Sequence, residues 1–577
     1  MKMRKLFLTP ALLGVGAVYV PMPVAAQQIE AELSPVEEQY SSVGEVDEAQ
    51  AEQAKPTNRR GSRNKKSDGP RIEIEPYIEA QQVLVADLTD GGDVLTYSTV
   101  AVGVDASVQT RRVEAQVSLR YERLIGYDNG VDSQHNITGL ARGSVALTRG
   151  LSIEAGGIAT RTRVDGRGAA PSNLVGNPDN LTQVYSVYAG PTLSSNIGEA
   201  SVSAAYRAGY TKVEDRVTGP LPPGQQRVDL FDDSVSHVAT ASVGIQPGVL
   251  PIGIASSVGF AREDAGQLDQ RFESKFARVD VTLPVTPTIA VIGGVGYEDI
   301  EISERDALKD GLGIPVVGGD GRLVTDPNSP RLSAYDQDGI IWDVGVMWRP
   351  SPRTSLVATY GRRYGSDTYT GSFSYQPGRD WAVNVSVYDT VSGFGSLLND
   401  SLSSLPTQFR SSRNPLSGDI SSCAFAQSGG FCFNDALQTA SSAAFRQRGI
   451  TASFSGSKGG WDRGFAVGYS RRKFIASQLG AQSQIDGAID QNYFAVASLG
   501  KSLDERTRFE TNVYANYFDP GFSGAGNVIS TGANAALYRR ILRGLSASAA
   551  VGLDSYKQEN FDSELTASAL LGLRYSF

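Results

Sequence analysis

Apolar and polar residues alternate along this chain in segments of roughly a dozen residues, and this pattern constrains the fold more than any other feature. In the final segment every second residue from Leu565 to Phe577 is apolar or aromatic. A period of two sends successive side chains to opposite faces of a β-strand. Strands of this length are long for a soluble sheet and suit a tilted crossing of a lipid bilayer. The same alternation runs through residues 113–122, 202–210, 277–283 and 508–517.

The connections between these segments alternate between short and long. Short connections lie near residues 110–112, 148–150, 247–249, 350–352, 376–379, 457–459, 503–505 and 540–543. Long connections fill residues 164–181, 213–233, 303–334, 391–442 and 474–487. Short periplasmic turns and long outer loops are typical of bacterial outer-membrane barrels. The pattern predicts an all-β fold, a transmembrane antiparallel up-and-down β-barrel of about 22 strands, within a range of about 18 to 24, over residues 71–577.

The first 70 residues differ from the rest in composition. Residues 1–26 have the order of a secretory signal peptide, with a basic start, an apolar core over residues 6–20 and small residues before an expected cut ahead of Gln27. Residues 27–70 are acidic and then basic, with almost no apolar periodicity, so we expect a disordered periplasmic linker. A tether to a partner or to peptidoglycan is the alternative. No folded plug domain is expected ahead of the first strand.

Aromatic residues stand where a membrane interface is expected. Trp348, Trp381 and Trp461 each flank a short turn, so we expect them to form a periplasmic aromatic girdle. The chain ends in Leu-Arg-Tyr-Ser-Phe, and this ending resembles the C-terminal signal of bacterial outer-membrane proteins. The resemblance assigns Tyr575 and Phe577 to assembly. It implies the barrel-assembly machinery as a partner, beside the lipid and lipopolysaccharide of a Gram-negative outer membrane.

A second resemblance lies near the middle of the chain. The stretch Gly345-Val346-Met347-Trp348-Arg349-Pro350-Ser351-Pro352-Arg353-Thr354-Ser355-Leu356 is followed by Tyr360-Gly361-Arg362-Arg363-Tyr364-Gly365. Together they resemble a hairpin in uncharacterised outer-membrane β-barrels associated with the exosortase (PEP-CTERM) and exopolysaccharide systems of Gram-negative bacteria. The resemblance covers residues 335–390. It implies a role in export or assembly of extracellular polysaccharide, with periplasmic export components as partners.

Charged residues of both signs fall on the polar face of their strands. We expect this set to face the lumen and to make a hydrated interior without strong ion selectivity. Pairing across strands that only stiffens the wall is compatible with the same pattern. The set comprises Glu114, Arg120, Glu122, Arg142, Arg207, Arg278, Asp280, Asp343, Arg349, Arg508 and Glu510.

The two cysteines, Cys423 and Cys432, both lie in the long 391–442 connection. The periplasm and the cell surface are oxidising, so we expect a disulfide that closes a short lobe. Two positions of the lobe stay open. It folds inward and narrows the pore, or it stiffens an exposed loop against proteases.

No catalytic site is expected. His135 is predicted to lie in a loop between strands, and His237 falls at a lipid-facing position near the outer rim. Neither sequence context supplies the oriented partner that acid–base catalysis requires. An interfacial histidine is therefore the favoured interpretation of His237, and an outer-membrane hydrolase is only a distant alternative.

Metal, cofactor and nucleic-acid binding are not expected either. The chain has two cysteines and two histidines, too few for the usual structural zinc site. Asp336 and Asp338 beside Gly339, and Asp320 with Asp326, lack the spacing of a calcium loop and are interpreted as solvated acidic loops. A net charge of −9 argues against a nucleic-acid partner.

Two functional classes remain. The leading hypothesis is a passive or partner-gated outer-membrane pore, with the polysaccharide link implied by the resemblance of the central hairpin alone. The alternative is a structural or adhesion barrel whose lumen is closed by its own long loops. The positions of the long 303–334 and 391–442 connections decide between an open and a closed lumen.

Overall fold

The computed structural model describes residues 70–577 with gaps at residues 90–93, 128–134, 164–180, 215–230, 249, 319–321, 427–428, 434–435, 439, 522–525 and 561. The predicted signal peptide and linker lie outside the described residues, as does Asp320. Over the described ranges the chain forms a closed antiparallel sheet of 22 strands, in which each strand pairs with its neighbours along the chain. The prediction of an up-and-down barrel of about 22 strands is confirmed.

The barrel strands fall in two runs separated by one long insertion. The first run is β1 (Arg71–Asp87), β2 (Val94–Gln109), β3 (Val113–Gly126), β4 (His135–Ala146), β5 (Leu151–Arg163), β6 (Leu181–Ile197), β7 (Ala200–Val213), β8 (Asp233–Ile245), β9 (Gly253–Ala265), β10 (Gln270–Thr286), β11 (Ile289–Glu304), β12 (Leu332–Ser351), β13 (Thr354–Arg363), β14 (Ser366–Tyr375) and β15 (Trp381–Ser392). The insertion holds the helix α1 (Phe394–Ser403) and the short strands β16 (Arg410–Arg413), β17 (Ile420–Ala426) and β18 (Gly429–Cys432). The second run is β19 (Ala444–Lys458), β20 (Trp461–Ile475), β21 (Ile489–Ser502), β22 (Thr507–Asp519), β23 (Val528–Arg540), β24 (Leu545–Gln558) and β25 (Glu564–Ser576).

The barrel closes where its first and last strands meet. β1 pairs with β25 from Tyr77 opposite Ser576 to Asp87 opposite Thr566. The backbone N–H of Phe577 then donates to the carbonyl oxygen of Pro76 at 3.0 Å. Closure leaves no unpaired sheet edge, and a bilayer can accommodate a β-sheet only in that form.

The two edges of the barrel differ in their connections. The edge that carries Arg71 and Phe577 has short turns, and most long connections lie at the opposite edge, so by the barrel rule the chain ends face the periplasm. The outer connection between β13 and β14 is short nevertheless. β13 and β14 are joined through Tyr364 and Gly365, both left-handed with φ of 54° and 69°. A two-residue turn with both φ values positive matches the twist of a hairpin and favours glycine at the second position.

The outer face of the sheet is apolar around the barrel. The outward residues include Leu119 on β3, Val187 on β6, Val258 on β9 and Val295 on β11, all with substantially exposed side chains. A closed sheet with such a face is stable only with lipid around it. The protein is therefore a transmembrane β-barrel of a Gram-negative outer membrane.

No helix in the described part of the chain is long and apolar enough to cross a membrane.

Candidate functional site

The lumen of the barrel is occupied by the described residues of the connection between β15 and β19, residues 393–443, which we call the lumenal plug. Its helix α1 contacts β5, β6, β7 and β8, and its strand β18 contacts β15, β19 and β20. Of the two positions that the sequence left open for the cysteine lobe, the structure has the inward one. The long connection therefore lies inside the barrel and not above it.

The helix of the plug packs on the wall through one apolar face. Phe394, Leu398 and Leu402 are spaced four residues apart, so they line one side of α1, and all three are fully buried. They belong to an apolar cluster that joins the plug to the inner surface of β4–β7. The cluster consists of Leu140, Ile158, Val184, Tyr188, Val213, Phe231, Phe394, Leu398, Leu402, Leu405, Phe409, Ile420, Ala424, Phe433, Ala436 and Ala440.

Wall charges match the dipole of α1 at both ends. At its N-terminal end the Glu263 carboxylate accepts the backbone N–H groups of Gly395 and Ser396, each at 2.9 Å. At its C-terminal end Arg142 donates to the carbonyl oxygen of Leu402 at 3.3 Å, and Arg207 donates to the Ser403 hydroxyl. An anion at a helix N-terminus and cations at its C-terminus are both stabilising. The wall thus specifies the direction in which the helix lies as well as its position.

Replacing Glu263 by alanine is expected to lower the free energy of unfolding by about 1–3 kcal/mol, because two buried N–H groups lose a charged acceptor. Glutamine keeps one acceptor oxygen and should recover part of the loss. Urea unfolding in detergent micelles measures both variants. Glu273→Ala on the outward side of β10 is the matched control, and an equal loss in that control would contradict the role of Glu263.

A turn in the middle of the plug is fixed to the wall by two charged side chains. Arg413 donates to the Ser118 hydroxyl at 3.1 Å and to the Thr138 hydroxyl at 2.7 Å. Arg161 of β5 pairs with Asp419 at 2.5 Å. The residues between these two anchors, 414–418, therefore project from β3–β5 into the lumen at a defined place. We call residues 413–419 the anchored turn.

The cysteine lobe reaches the other side of the lumen. Cys423 and Cys432 form a disulfide between β17 and β18, as the sequence predicts, and Cys423 is fully buried. The wall serines Ser453 and Ser455 donate to the carbonyl oxygens of Gly430 and Ala426 at 2.8 and 2.7 Å. Wall hydroxyls thus hold the tip of the lobe through its backbone carbonyl groups.

A cavity of about 370 Å³ lies at the periplasmic end of the lumen, and we call it the periplasmic vestibule. Arg413, Phe425 and Ala426 of the plug form its inner end, and the periplasmic ends of β19–β23 and β25 with β2 and β3 form most of its wall. Charges of both signs line it. They are Asp105, Asp380, Asp462 and Glu510 with Arg413, Arg508 and Arg574, whereas the guanidinium group of Arg463 lies over the outward ring of Trp461.

The predicted lumenal charges lie on the inner face of the wall. Arg120 pairs with Glu79 and Glu122, all three buried. Glu114 accepts the Thr407 hydroxyl of the plug at 2.8 Å. Arg142 also pairs with Glu154 at 3.0 Å, and Arg207 pairs with Asp400 at 3.6 Å. Arg278 pairs with Asp280 at 2.6 Å and with Asp343 at 2.7 Å, and Arg508 pairs with Glu510 at 2.6 Å. Arg349 lies on the inner side of β12, as Met347 does.

The hydrated interior that the sequence predicts is found only in part. Arg120 and Arg278 are 4% and 5% exposed, because other side chains and the plug fill the space in front of β3–β10. Arg508 and Glu510 remain partly exposed in the vestibule. Alternation indicates which face a charge occupies, but it does not indicate what stands opposite that face.

The aromatic residues lie at the periplasmic edge. Trp348, Trp381 and Trp461 occupy the ends of strands there, at positions next to residues that are buried in the lumen, such as Met347 in β12 and Ala382 in β15. Their rings therefore face outward. Tyr575 and Phe577 are exposed on the outer face of the last strand, with their rings 5.0 Å apart and perpendicular.

The two histidines lie on the outer part of the wall. His135 is the first residue of β4 and stacks on Tyr121, so its predicted loop position is wrong. The His135 side chain is exposed. Its backbone pairs with Arg123 at the end of the β3–β4 hydrogen-bonded ladder. His237 lies on β8, where its Nδ1 is 2.8 Å from the Tyr206 hydroxyl, a contact of the membrane interface.

The acidic residues considered for calcium are dispersed. Asp336 and Asp338 lie on β12 and not in a loop, and the Tyr297 hydroxyl donates to Asp338. Asp326 accepts the backbone N–H of Asn328 within an outer turn. Among the described residues no group of three His, Cys, Asp or Glu side chains is close enough to hold a metal ion.

Several residues that build this site carry no motif in the sequence. Glu263 occupies an inward-facing position in the alternation of β9, and that position is the only sequence feature that points to a role for it. Arg161, Arg413 and Asp419 are separated by hundreds of residues from some of their partners. In the plug, Gly393 followed by apolar residues at a spacing of four is the one pattern that could have indicated a helix within the long connection.

Comparisons with known proteins identify overall similarity to large outer-membrane barrels. No family model and no curated protein matches the chain. Among solved structures, the copper transporter OprC is 13% identical over 88% of this chain and 81% of its own, with a TM-score of 0.37. The closed form of the ferric-catecholate import receptor Fiu from E. coli K12 is 11% identical over 87% and 81%, with a TM-score of 0.40. The FrpB iron transporter from Neisseria meningitidis is 10% identical over 87% and 82%, with a TM-score of 0.40.

Proposed function

We propose that the protein is a gated outer-membrane channel whose resting state is closed by its lumenal plug. The observation that carries this proposal is the plug itself, which is bound to the wall by side chains of several strands and yet leaves a vestibule open at the periplasmic end. Both ends of the plug are continuous with barrel strands. It can therefore rearrange within the lumen without leaving the molecule.

A permanently sealed structural barrel is the second candidate. The buried apolar cluster around α1 favours it, because separating that helix from β4–β7 would expose many apolar side chains to water. A channel function requires that at least part of the plug moves at a smaller cost than this. The two candidates therefore make opposite predictions for the conductance of the intact protein under conditions that displace the plug.

Planar-bilayer conductance of the purified protein tests the proposal. We expect the intact chain to be closed for most of the recording, with rare openings. A variant in which a short Gly-Ser linker replaces residues 394–442 should conduct continuously, because a barrel of this strand number encloses a wide lumen. The same linker in place of the outer loop residues 306–330 is the control and should leave the channel closed. A closed barrel after removal of the plug would refute the channel.

The polysaccharide link is a narrower part of the proposal. It is supported by the resemblance of residues 345–365 to the hairpin of exosortase-associated barrels, and it would bring periplasmic export components to the short-turn edge. Assembly through the barrel-assembly machinery is also proposed from a resemblance, that of the chain ending with Tyr575 and Phe577 to the C-terminal signal of outer-membrane proteins. Deletion of the gene should reduce extracellular polysaccharide. An unchanged amount would refute the export role and leave the channel proposal intact.

A further inference from the structure

We infer that the channel has one specific path, between the plug and the wall formed by β1 and β22–β25, and that Leu416 of the anchored turn is its stopper. This inference rests on the proposed channel function and adds a route, a gate residue and a solute class. The plug fills the opposite side of the lumen, where α1 packs on β5–β8. On the side of β23–β25 the plug contributes Leu416 to the apolar cluster of the wall.

The periplasmic half of the path is the vestibule. It is lined on the wall side by Arg508, Glu510, Tyr538 and Arg574, which all occupy the periplasmic ends of β22, β23 and β25. Tyr538 also packs against the apolar cluster that contains Leu416. The vestibule therefore ends directly beneath that cluster.

The apolar cluster crosses the lumen at one level. Strand pairing places Val83, Leu570, Ala550 and Ala536 side by side on β1, β25, β24 and β23. Leu416 completes this belt from the plug side and is 7% exposed. A methyl group of Leu416 lies against Gly552, where any side chain would collide with it. Because residue 552 is a glycine, the Leu416 side chain can pack directly against β24.

Polar residues return on the outer side of this belt. Asp554 on β24 and Ser568 on β25 follow the apolar residues toward the outer edge. The Tyr514 hydroxyl of β22 donates to Asp554 at 2.6 Å, and Asn534 on β23 faces the same space. A narrow apolar segment between two polar segments is the arrangement of a gate that closes by excluding water.

The anchored turn explains how this gate can open alone. Its contacts to β3–β5 are polar, through Arg413 and Asp419, whereas its contact to β24 is the apolar side chain of Leu416. A small rotation of the turn would withdraw Leu416 while α1 and the disulfide-closed lobe stay in place. The vestibule has four acidic side chains and three basic ones, so the path suits small hydrated solutes of either charge, without strong selectivity.

The test is planar-bilayer conductance of full-length Leu416 variants in symmetrical potassium chloride. Leu416→Asp should hydrate the belt and raise the mean conductance at least about tenfold, and Leu416→Ala should raise it less. In a salt gradient Leu416→Ala should show a reversal potential near zero, because charges of both signs line the vestibule. Leu312→Asp, at an 85% exposed residue of an outer loop, is the matched control and should stay closed.

The outcomes separate this inference from the proposed function. If removal of residues 394–442 opens the barrel but both Leu416 variants stay closed, the path along β22–β25 is wrong and the channel remains. If neither change opens it, both are wrong. If Leu416→Asp does not fold, Leu416→Ala decides alone. A strong preference of Leu416→Ala for one ion sign would overturn the solute class.

Discussion

Replacement of Leu398 by aspartate is expected to detach α1 from the wall and leave the barrel conducting. Leu398 is fully buried in the middle of the apolar face of the helix, among side chains of β4–β7 and the plug. The substitution removes a large buried side chain and places a carboxylate in an apolar site, a combined cost of about 3–5 kcal/mol. The strands keep their own pairing, so the expected loss is local to the plug.

Two measurements check this prediction. Single-channel recording should show long openings in place of the rare ones expected of the intact chain, and trypsin should cleave within residues 404–442 while the barrel strands stay protected. Leu479→Asp, at an 81% exposed residue of the loop between β20 and β21, is the matched control and should change neither result. A Leu398→Asp barrel that stays closed and resistant would show that α1 does not hold the plug.

Replacement of Arg472 by methionine is expected to destabilise the wall itself. Arg472 of β20 is completely buried and pairs with Asp490 of β21, which is 1% exposed. Its guanidinium group also lies over the rings of Phe445 and Phe474 at 5.0 and 5.4 Å. Methionine would leave the carboxylate buried without its cation, at a cost of about 3–5 kcal/mol in the free energy of unfolding.

A double variant distinguishes an unpaired charge from lost packing. Arg472→Met with Asp490→Leu removes both charges, and replacing a buried ion pair by apolar side chains is often neutral or stabilising. We expect the double variant to recover most of the loss in urea unfolding. If the double variant is as unstable as Arg472→Met alone, the packing of Arg472 on the two phenylalanines, and not its charge pair, maintains this part of the wall.

The predictability of the fold and of the site differs for a physical reason. The barrel follows from alternation over segments such as 113–122 and 565–577, because side-chain direction in a strand depends only on position along that strand. The even strand number and the inward parity of residues such as Arg120 follow in the same way. Contacts of the plug depend on residues far apart, such as Glu263 and Gly395, which are 132 positions apart.

The cysteine lobe has one feature that a local sequence pattern predicts and one that depends on contacts between distant residues. Oxidising conditions and short spacing predict the bond between Cys423 and Cys432, since both facts are local. Whether the lobe lies inside or outside depends on the hydroxyls of Ser453 and Ser455, and on the space left by glycines opposite, such as Gly464 beside the ring of Phe425. No local pattern encodes that fit.

The sequence by itself determined the membrane barrel, its strand number to within a range of about 18 to 24, its closure at Phe577 and the face that each wall residue occupies. All of these follow from a period of two and from the alternation of short and long connections. Only the tertiary structure decided that residues 393–443 fill the lumen, that Leu416 meets Gly552 and that a vestibule remains beneath them. Those features arise when side chains from distant strands meet in the lumen. A pattern along the chain gives no information about which distant side chains come into contact there.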